Sequence, residues 1–545
     1  MTGLKSTYYL PALLVLAAML VLFSSEPAAA QLPTPPVPGC QYAVKNIHFS
    51  NDKSDEDYRR AAPLQSYDGT KITSPQQLAD YSAAADGKTI LIEGGNFSAW
   101  DFTAVKLSNI CFEGSDLSDS NWTGTSAAGL GFINADMSGA NMSGAVMTDI
   151  LIRSSNISRA NASGADWSSG KLDGGWDGDV EGLKLDEANL TGFRFDCGIT
   201  VADGCPLARS GMSVRGANLA FSDWSSFGFY DADMTGAILN QTIISPRQLT
   251  DFKDAMSMGG IFLSGGDEKV MVLPETWAVL MASALAREQD DTPSFDCSAA
   301  QTAVEKQICA EENSLIRQYD RQMAALYKQV RKRGKDVEGA QKAWLAKRNG
   351  CAVQPDIAAC LRQSYDQRVG RLIGLLGEPE WLLSGEEALF LESVLPLGEE
   401  VTGSQSYADL VPVLAGASRS SLWVKRSVDG SIEAAGEAVG ANAHLCSLRV
   451  KGLRFDPASG WYSLSGPANG ARRMFPVLRY HDGRIEVYQN GRLSAEEELP
   501  ETGPDTGDAQ NYISCGARAS FPPMVQMAVP APLMAQYRRA FQEQR

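Results

Sequence analysis

Ala135-Asp136-Met137-Ser138-Gly139, followed at once by Ala140-Asn141-Met142-Ser143-Gly144, states a five-residue unit twice. The large apolar centre of that unit recurs every fifth residue in both directions. Upstream lie Phe97, Phe102, Leu107, Phe112, Leu117, Trp122, Ala127 and Phe132, and downstream Met147, Ile152, Ile157, Ala162, Trp167 and Leu172. After a slip near Gly174-Gly175 the series resumes at Val180, Leu185, Leu190 and Phe195. After a second break it returns as Val214, Leu219, Trp224, Phe229, Met234, Leu239 and Ile244. A small residue often sits two places before the centre (Ala135, Ala160, Ala188, Ala217), and Asn or Asp one place before it (Asp116, Asn121, Asn161, Asn189). A period of five fits neither the 3.6 of an α-helix nor the 2 of a strand. It fits a coil that turns a corner once per unit, with one large and one small side chain pointing inward and the other three facing solvent.

These units closely resemble the pentapeptide-repeat family. The resemblance implies a right-handed quadrilateral β-helix over about 96–249 with four repeats per coil. The 27 repeats make nearly seven coils, a rod about 30 Å long at roughly 4.8 Å between stacked strands. Sequons such as Asn121-Trp122-Thr123 fall out of the repeat itself, so no glycan acceptor is read from them. Between residues 96 and 245 stand 8 basic and 18 acidic side chains, a net charge of −10. Some proteins of the resembled family imitate duplex DNA with such a rod and bind topoisomerases, but an exported chain does not meet that partner. A solvated acidic face is the expected reading.

Export is expected from the first thirty residues. Lys5 precedes an apolar run from Tyr9 to Phe23, and Ala28-Ala29-Ala30 stands before Gln31, the pattern of a signal peptide over 1–30 cleaved after Ala30. No segment reaches the roughly 18 apolar residues of a membrane span, so no transmembrane anchor is expected in the mature chain. Cys40 in Val37-Pro38-Gly39-Cys40 lies too far past the apolar run for acylation to be expected. The full chain of 545 residues has 48 Lys+Arg, 65 Asp+Glu and a net charge of −17, which disfavours nucleic acid and anionic membranes. Three histidines, His48, His444 and His481, are too scattered for a metal or acid–base site, and neither a cofactor nor a metal site is assigned. Ten cysteines in an oxidising periplasmic or extracellular space are expected to pair.

The interruptions of the repeat indicate pairs. Cys197 and Cys205 close a short excursion from the rod. Cys111, just before centre Phe112, faces outward and is in a position to meet Cys40, so that an N-terminal segment (31–95) packs on the rod, with Thr89–Ile92 as a first strand. A solenoid end must be covered, and Ser245-Pro246 suits entry to a short capping helix.

After an expected connector (250–294), apolar residues recur at helical spacing: Val304, Ile308, Leu315, Tyr319, Met323, Leu326 and Val330, with no Gly or Pro across 301–333. A second helix is expected over Asp336–Asn349 with Trp344 inward, and a third around Ile357, Leu361, Tyr365, Leu372 and Leu376. Cys297, Cys309, Cys351 and Cys360 flank these helices. Antiparallel packing would bring Cys351 back towards Cys309, two disulfides are feasible, and three connectivities remain open. The spacing fits no zinc finger. Phe295-Asp296-Cys297, Ala303 through Cys309, Ala343-Trp344 through Gly350-Cys351, and Tyr365-Asp366-Gln367-Arg368 are similar to the LprI-type lysozyme-inhibitor family over about 295–377. That resemblance implies a small disulfide-linked α-helical bundle, with lysozyme binding attached to some relatives. Lys347 and Arg348 are the candidate partner contacts. The module is basic, with 14 basic and 9 acidic residues, which disfavours steering to a basic lysozyme.

From 378 to 545 a mainly-β domain is expected. Ser421–Val428 before Asp429-Gly430 and Arg484–Tyr488 before Asn490-Gly491 read as strand and turn, and Leu445–Val450 and Gly460–Leu464 as further strands. Cys446 and Cys515 are the expected staple. No nucleophile motif accompanies His444 or His481-Asp482, so no catalytic residue is assigned. The sequence therefore points to an exported, non-enzymatic multidomain binding protein, with a lysozyme or another peptidoglycan-active enzyme as the expected protein partner. A structural scaffold of the cell envelope without lysozyme activity is the second reading, and a hydrolase in the C-terminal domain the third.

Overall fold

In a computed structural model, the described residues are 40, 65–174, 179–196, 211–228, 232–257, 259–288, 292–395, 397–440, 445–468, 471–488, 513–515 and 520–543. The expected signal peptide, the Cys197/Cys205 pair, His48, His444, Phe229 and Asn490-Gly491 lie outside them.

The repeat folds as a four-sided solenoid. Parallel bridges link residues 20 apart, four pentapeptides per coil, as in Asn96 with Asp116, Asp101 with Asn121 and Ser126 with Val146. On the fourth side the strands Ile90–Glu93, Ile110–Glu113, Gly131–Ile133, Leu151–Arg153, Lys171–Asp173 and Arg194–Asp196 form one parallel sheet. The two interruptions are insertions that leave the stacking intact. Asn156 bridges Asp179 and Asn161 bridges Lys184, so the first adds 3 residues to a coil of 20; Lys184 bridges Ser213, so the second adds 9. Register then returns to 20, with Ser213 on Asp233.

Two local devices make each corner. The residue two places after the centre takes a left-handed conformation: Gly114, Gly124, Gly139, Gly144 and Gly164, and also Asp119, Asn109, Asn134 and Arg159. Glycine, Asn and Asp tolerate this region best. The residue one place before the centre accepts a backbone N–H two residues on, as Asp116 Oδ1 does from Ser118 (3.0 Å) and Asn156 Oδ1 from Ser158 (3.0 Å). That is an Asx turn, and it explains why Asn or Asp recurs there so often. Asn adds a second bond across the coil: Asn156 Nδ2 donates to Asp136 Oδ1 at 3.2 Å and Asn189 Nδ2 to Asp166 Oδ1 at 3.0 Å.

Inside, the centres stack directly. Phe102 lies on Trp122 at 3.9 Å between ring centroids, Phe112 on Phe132 at 5.5 Å and Phe195 on Trp224 at 3.8 Å. A buried indole N–H needs an acceptor, and the small residue two places before the centre supplies it. Trp122 Nε1 donates to Ser120 Oγ (2.8 Å) and Trp224 Nε1 to Ser222 Oγ (2.7 Å). At Trp167 the corresponding residue is Ala165, and that indole N–H is buried without a partner.

Both ends are covered. Strand Gln65–Asp68 pairs with Ile90–Glu93, and helix Pro75–Ala84 buries Leu78 against the first coils. Cys40 is disulfide-bonded to Cys111 on the outside of the sheet, where it also buries Leu91, Ile133 and Leu151. Gly131, stacked below Cys111, makes room for it: a Cβ there would stand 2.7 Å from Cys40 Cβ. At the other end Ser245 caps a 3-10 turn, Pro246–Phe252, and Gln248 reciprocates at 2.6 Å to the Ser245 N–H while donating to Trp224 O at 2.7 Å. The stretch expected as a connector is folded here. Hairpin Ile261–Gly265/Glu268–Val272 adds to the last coil, and helix Pro274–Glu288 seals the apolar interior.

The helical module differs from expectation in its first helix, which breaks. Ala303–Cys309 ends at an extended Ala310, and the chain restarts as Ser314–Lys332. Asn313 Nδ2 donates to Gln307 O (2.8 Å) and Arg317 to Ala310 O, so side chains satisfy the carbonyls exposed by the break. Helices Glu338–Asn349 and Ile357–Leu376 complete the bundle. The disulfides are local, Cys297–Cys309 and Cys351–Cys360.

The C-terminal part is a closed antiparallel barrel of eight strands: Glu387–Glu392, Ser420–Arg426, Ile432–Val439, Leu445–Asp456, Trp461–Ala468, Ala471–His481, Arg484–Val487 and Met524–Met527. The last strand returns to the first, which leaves no open edge in the ring. Leu445–Asp456 alternates exposed and buried residues over its first six positions, as a barrel wall requires. Ile513–Cys515 adds to it through the cross-strand disulfide Cys446–Cys515. Among the described residues no cysteine is free, and no helix is long and apolar enough to cross a membrane.

Candidate functional site

On the rod, the Asp residues that give the surface its charge are already committed to the corners. Backbone and hydroxyl donation from Thr103 holds the Asp101 carboxyl below its usual range, and Thr235 does the same for Asp233. The interior is packed through its length, from Ile92 to Leu263, with buried side chains. What the rod can offer a ligand is therefore its outside.

In the bundle, Trp344, Arg348, Tyr365 and Arg368 turn towards the interior. Trp344 Nε1 donates to Ser364 O (3.2 Å) and meets Tyr365 edge-on at 5.2 Å. Arg348 Nη1 donates to Tyr365 Oη (2.9 Å), which donates to Asp320 Oδ1 (2.6 Å); the other carboxylate oxygen accepts the Ser294 N–H (2.7 Å). Burial, then the Asp320 charge, pushes the Tyr365 phenol well above its ordinary value, so it stays a neutral donor. Arg368 holds Gln341 Oε1 at 2.6 Å. Of the two candidate partner contacts, Arg348 is 9% exposed and bound inside this network, while Lys347 is exposed. The pair is split by the helix: adjacent residues point about 100° apart, and here that turns Arg348 inward and leaves Lys347 outward.

The bundle is locked to the barrel. Arg479 on the barrel strand is 1% exposed and ion-paired to Asp366 of the bundle (2.7 Å) and to Glu486, with its guanidinium 4.5 Å from the Trp461 ring centre. Burial opposes its charge, but Glu486 and then Asp366 outweigh burial and hold it protonated. Beside this triad, Gly370 and Gly374 on one helix face admit the turn 457–460. A Cβ on either would run into Ser459 O or Pro457 O respectively. The barrel in turn grips the rod's cap, where Arg247 makes a two-pronged pair with Glu392 (2.8 and 3.3 Å) and donates to Ala417 O at 3.0 Å.

Among the described residues, cavities lie around this junction. One of about 500 Å³ lies between helix Ser314–Lys332, the barrel and helix Tyr407–Ala417, with His481, Asp482, Arg484 and Tyr407 on its wall. One of about 490 Å³ shares His481 and Asp482 and adds Glu378, Glu380 and Arg333. The third, about 330 Å³, is a groove between bundle and barrel. His481-Asp482, the pair that invited a catalytic reading, sits at a two-residue hairpin turn. Asp482 and Gly483 both have positive φ, and His481 pairs with Arg484. Burial holds the His481 imidazole below its ordinary pKa. Among the described residues no serine, threonine or cysteine hydrogen-bonds to it, and no group of metal ligands forms.

Against known proteins, residues 110–149 and 132–168 match the family described as Pentapeptide repeats, with eight copies. The rod is thus built from that family's repeat. No curated protein matches the chain by sequence. Among solved structures, full-length QnrB1, a plasmid-mediated fluoroquinolone resistance protein, is 12% identical with a TM-score of 0.16, covering 32% of this chain and 93% of its own. HetL, a pentapeptide repeat protein involved in heterocyst differentiation regulation in the cyanobacterium Nostoc sp. strain PCC 7120, is 16% identical with a TM-score of 0.13, covering 35% and 92%. Rfr23, a pentapeptide repeat protein of the cyanobacterium Cyanothece 51142, is 13% identical with a TM-score of 0.12, covering 31% and 99%.

Proposed function

We propose that this chain is an exported, non-enzymatic binding protein in which the solenoid is a rigid scaffold and the bundle–barrel unit carries the partner site. The observation that carries the reading is the filled interior of the rod together with its locked attachment. A solenoid packed from Ile92 to Leu263 is suited to presenting an outer surface, and the Arg247–Glu392 pair fixes what it presents. Four disulfides among the described residues support export, since such bonds persist in oxidising compartments.

Lysozyme, or another peptidoglycan-active enzyme, is the finer proposal, resting on the LprI-type resemblance of 295–377. Its contact is Lys347 and the exposed side of helix Glu338–Asn349, because the opposite faces of the bundle are taken by its own core and by the barrel. The test is a lysozyme activity assay with the full chain and its disulfides intact. Inhibition at micromolar protein that is lost in Lys347→Glu supports it. Full lysozyme activity at high micromolar protein removes lysozyme and leaves the envelope-scaffold reading. Export is tested separately: without reductant, the protein is recovered in the periplasmic fraction with cysteines that resist alkylation if the reading holds, and in the cytoplasmic fraction with reactive cysteines if it is not exported.

A further inference from the structure

We propose that the groove between bundle and barrel binds a carboxylate carried on an apolar or aromatic group, with Arg362 as its counter-ion. The groove holds about 330 Å³, near the lower end of the range of small-ligand sites (about 300–1,000 Å³). It is independent of the partner surface around Lys347 and of the scaffold reading.

Arg362 lies on helix Ile357–Leu376, half-buried on the groove wall, and makes no ion pair or hydrogen bond among the described residues. Its natural partner would be Asp366, one helical turn on. That carboxylate is turned the other way, 2.7 Å from Arg479 Nη1, and the other carboxylate on the rim, Glu486, is bonded to the same guanidinium. Both carboxylates near Arg362 are therefore bonded to Arg479 rather than to it; two carboxylates on one guanidinium leave that triad at −1, so Arg362 brings the local charge to neutral while its own fork stays without a bonded partner among the described residues. A partly desolvated guanidinium without a partner favours an anion, and its planar fork matches a carboxylate in two-pronged geometry.

The remaining wall selects what the anion is attached to. Leu315, Trp461, Val487 and Phe521 are apolar, and Pro522-Pro523 has no N–H to donate. The donors this wall can offer an anion are the guanidinium and hydroxyls such as that of Tyr319. Burial is the main cause that pushes the Tyr319 phenol up, so it stays protonated and able to donate. A strongly hydrated anion such as phosphate would lose its water against these apolar walls without replacement bonds. A carboxylate on a hydrocarbon or aromatic body loses less. A peptide's C-terminus and a free organic acid share this chemistry.

The experiment titrates the full-length, oxidised protein with N-acetyl-phenylalaninate, its primary amide N-acetyl-phenylalaninamide, and octanoate, read by saturation-transfer NMR and tryptophan fluorescence. Acids of this size are expected to bind at about a millimolar. The amide is expected to bind at least tenfold more weakly, and Arg362→Gln to remove most of that difference, because the lost charge-assisted bond is worth about a factor of ten or more. Arg362 has no internal bond among the described residues, so the variant should keep the wild-type melting curve. Leu315→Trp, at a position 38% exposed on the groove rim, should reduce binding of both acids by obstruction. Tighter binding of N-acetyl-phenylalaninate identifies a peptide terminus as the source; tighter octanoate identifies a free acid. Equal binding of acid and amide, binding unchanged in Arg362→Gln, or no binding of either acid at 10-fold above a millimolar (about 10 mM) overturns the proposal.

Discussion

Replacing Ala165 with serine should stabilise the rod. Trp167 is fully buried, and its indole N–H is one of the few buried side-chain polar atoms without a hydrogen bond. At the two equivalent coils, a serine two places before the tryptophan accepts that bond and passes its own proton to a backbone carbonyl. Ser120 Oγ donates to Leu117 O (2.6 Å) and Ser222 Oγ to Leu219 O (2.5 Å). By the same spacing, a serine at 165 would donate to Ala162 O, so the added hydroxyl brings no new unsatisfied atom. An unsatisfied buried group costs about 1–3 kcal/mol and a buried hydrogen bond contributes about 1 kcal/mol net. Fitting one extra oxygen beside Trp167 and Phe193, whose rings are 6.1 Å apart, takes part of that back, so the expected gain is about 1 kcal/mol. For a unit the size of the rod this is a rise of roughly 2–4 °C in melting temperature. The mirror variant Ser120→Ala should cost about 1–3 kcal/mol, since it orphans Trp122 Nε1. The assay is calorimetric unfolding of the oxidised full chain, with the exchange rate of the Trp167 indole proton followed by NMR. Slower exchange and a higher transition in Ala165→Ser confirm the reasoning. A lower transition in Ala165→Ser together with a neutral Ser120→Ala would refute it, because the serine would then not be the indole's acceptor.

Three other outcomes follow from the same structure. Gly131→Ala pushes a methyl into Cys40, so it should destabilise by about 1–3 kcal/mol as an overpacked site, and a Cys40→Ser background should relieve most of the penalty in a thermal melt. Arg479→Met leaves the partly buried Asp366 and Glu486 without their cation and should cost about 3–5 kcal/mol; Arg479→Met combined with Asp366→Leu and Glu486→Leu should recover much of it, read by denaturant unfolding. The His481 imidazole, held below its ordinary value chiefly by burial, binds fewer protons folded than unfolded. Stability should therefore rise with pH through that window. The contribution is complete above about pH 6.5 and is lost as pH falls from there towards the lower folded value; His481→Asn should flatten that part of a melting-temperature profile.

The rod was legible because one physical rule repeats. Centres such as Met137 and Trp167 point inward at every fifth residue, and the Asn or Asp before many of them makes the Asx turn. Even the interruptions kept this logic, since 3 and 9 extra residues leave the coils in register. The bundle's three-helix content was also visible, but not the break at Ala310, which depends on Asn313 and Arg317 reaching back to freed carbonyls. Lys347 and Arg348 looked alike as a basic pair; which of them faces water depends on Asp320 and Tyr365, distant in sequence. The stretch 250–294 read as a connector because its short strands pair with the last coil and gain their apolar environment only there. In the C-terminal part, the Asp482-Gly483 turn was in plain view yet attracted notice for the histidine beside it. Barrel closure was not legible, since it joins Glu387–Glu392 to Met524–Met527 across most of the domain. The bundle–barrel groove was equally hidden, because Arg362 is an ordinary helical arginine until Arg479 takes its neighbour.

The most direct test of the binding-scaffold reading is affinity capture of the full-length, oxidised protein from envelope extract, with wild type and Lys347→Glu compared by quantitative mass spectrometry. The account predicts one protein enriched by the wild type and reduced at least tenfold by the variant, with both forms equally folded. Recovery of the same proteins at the same yield by both forms, or of none by either, would contradict it.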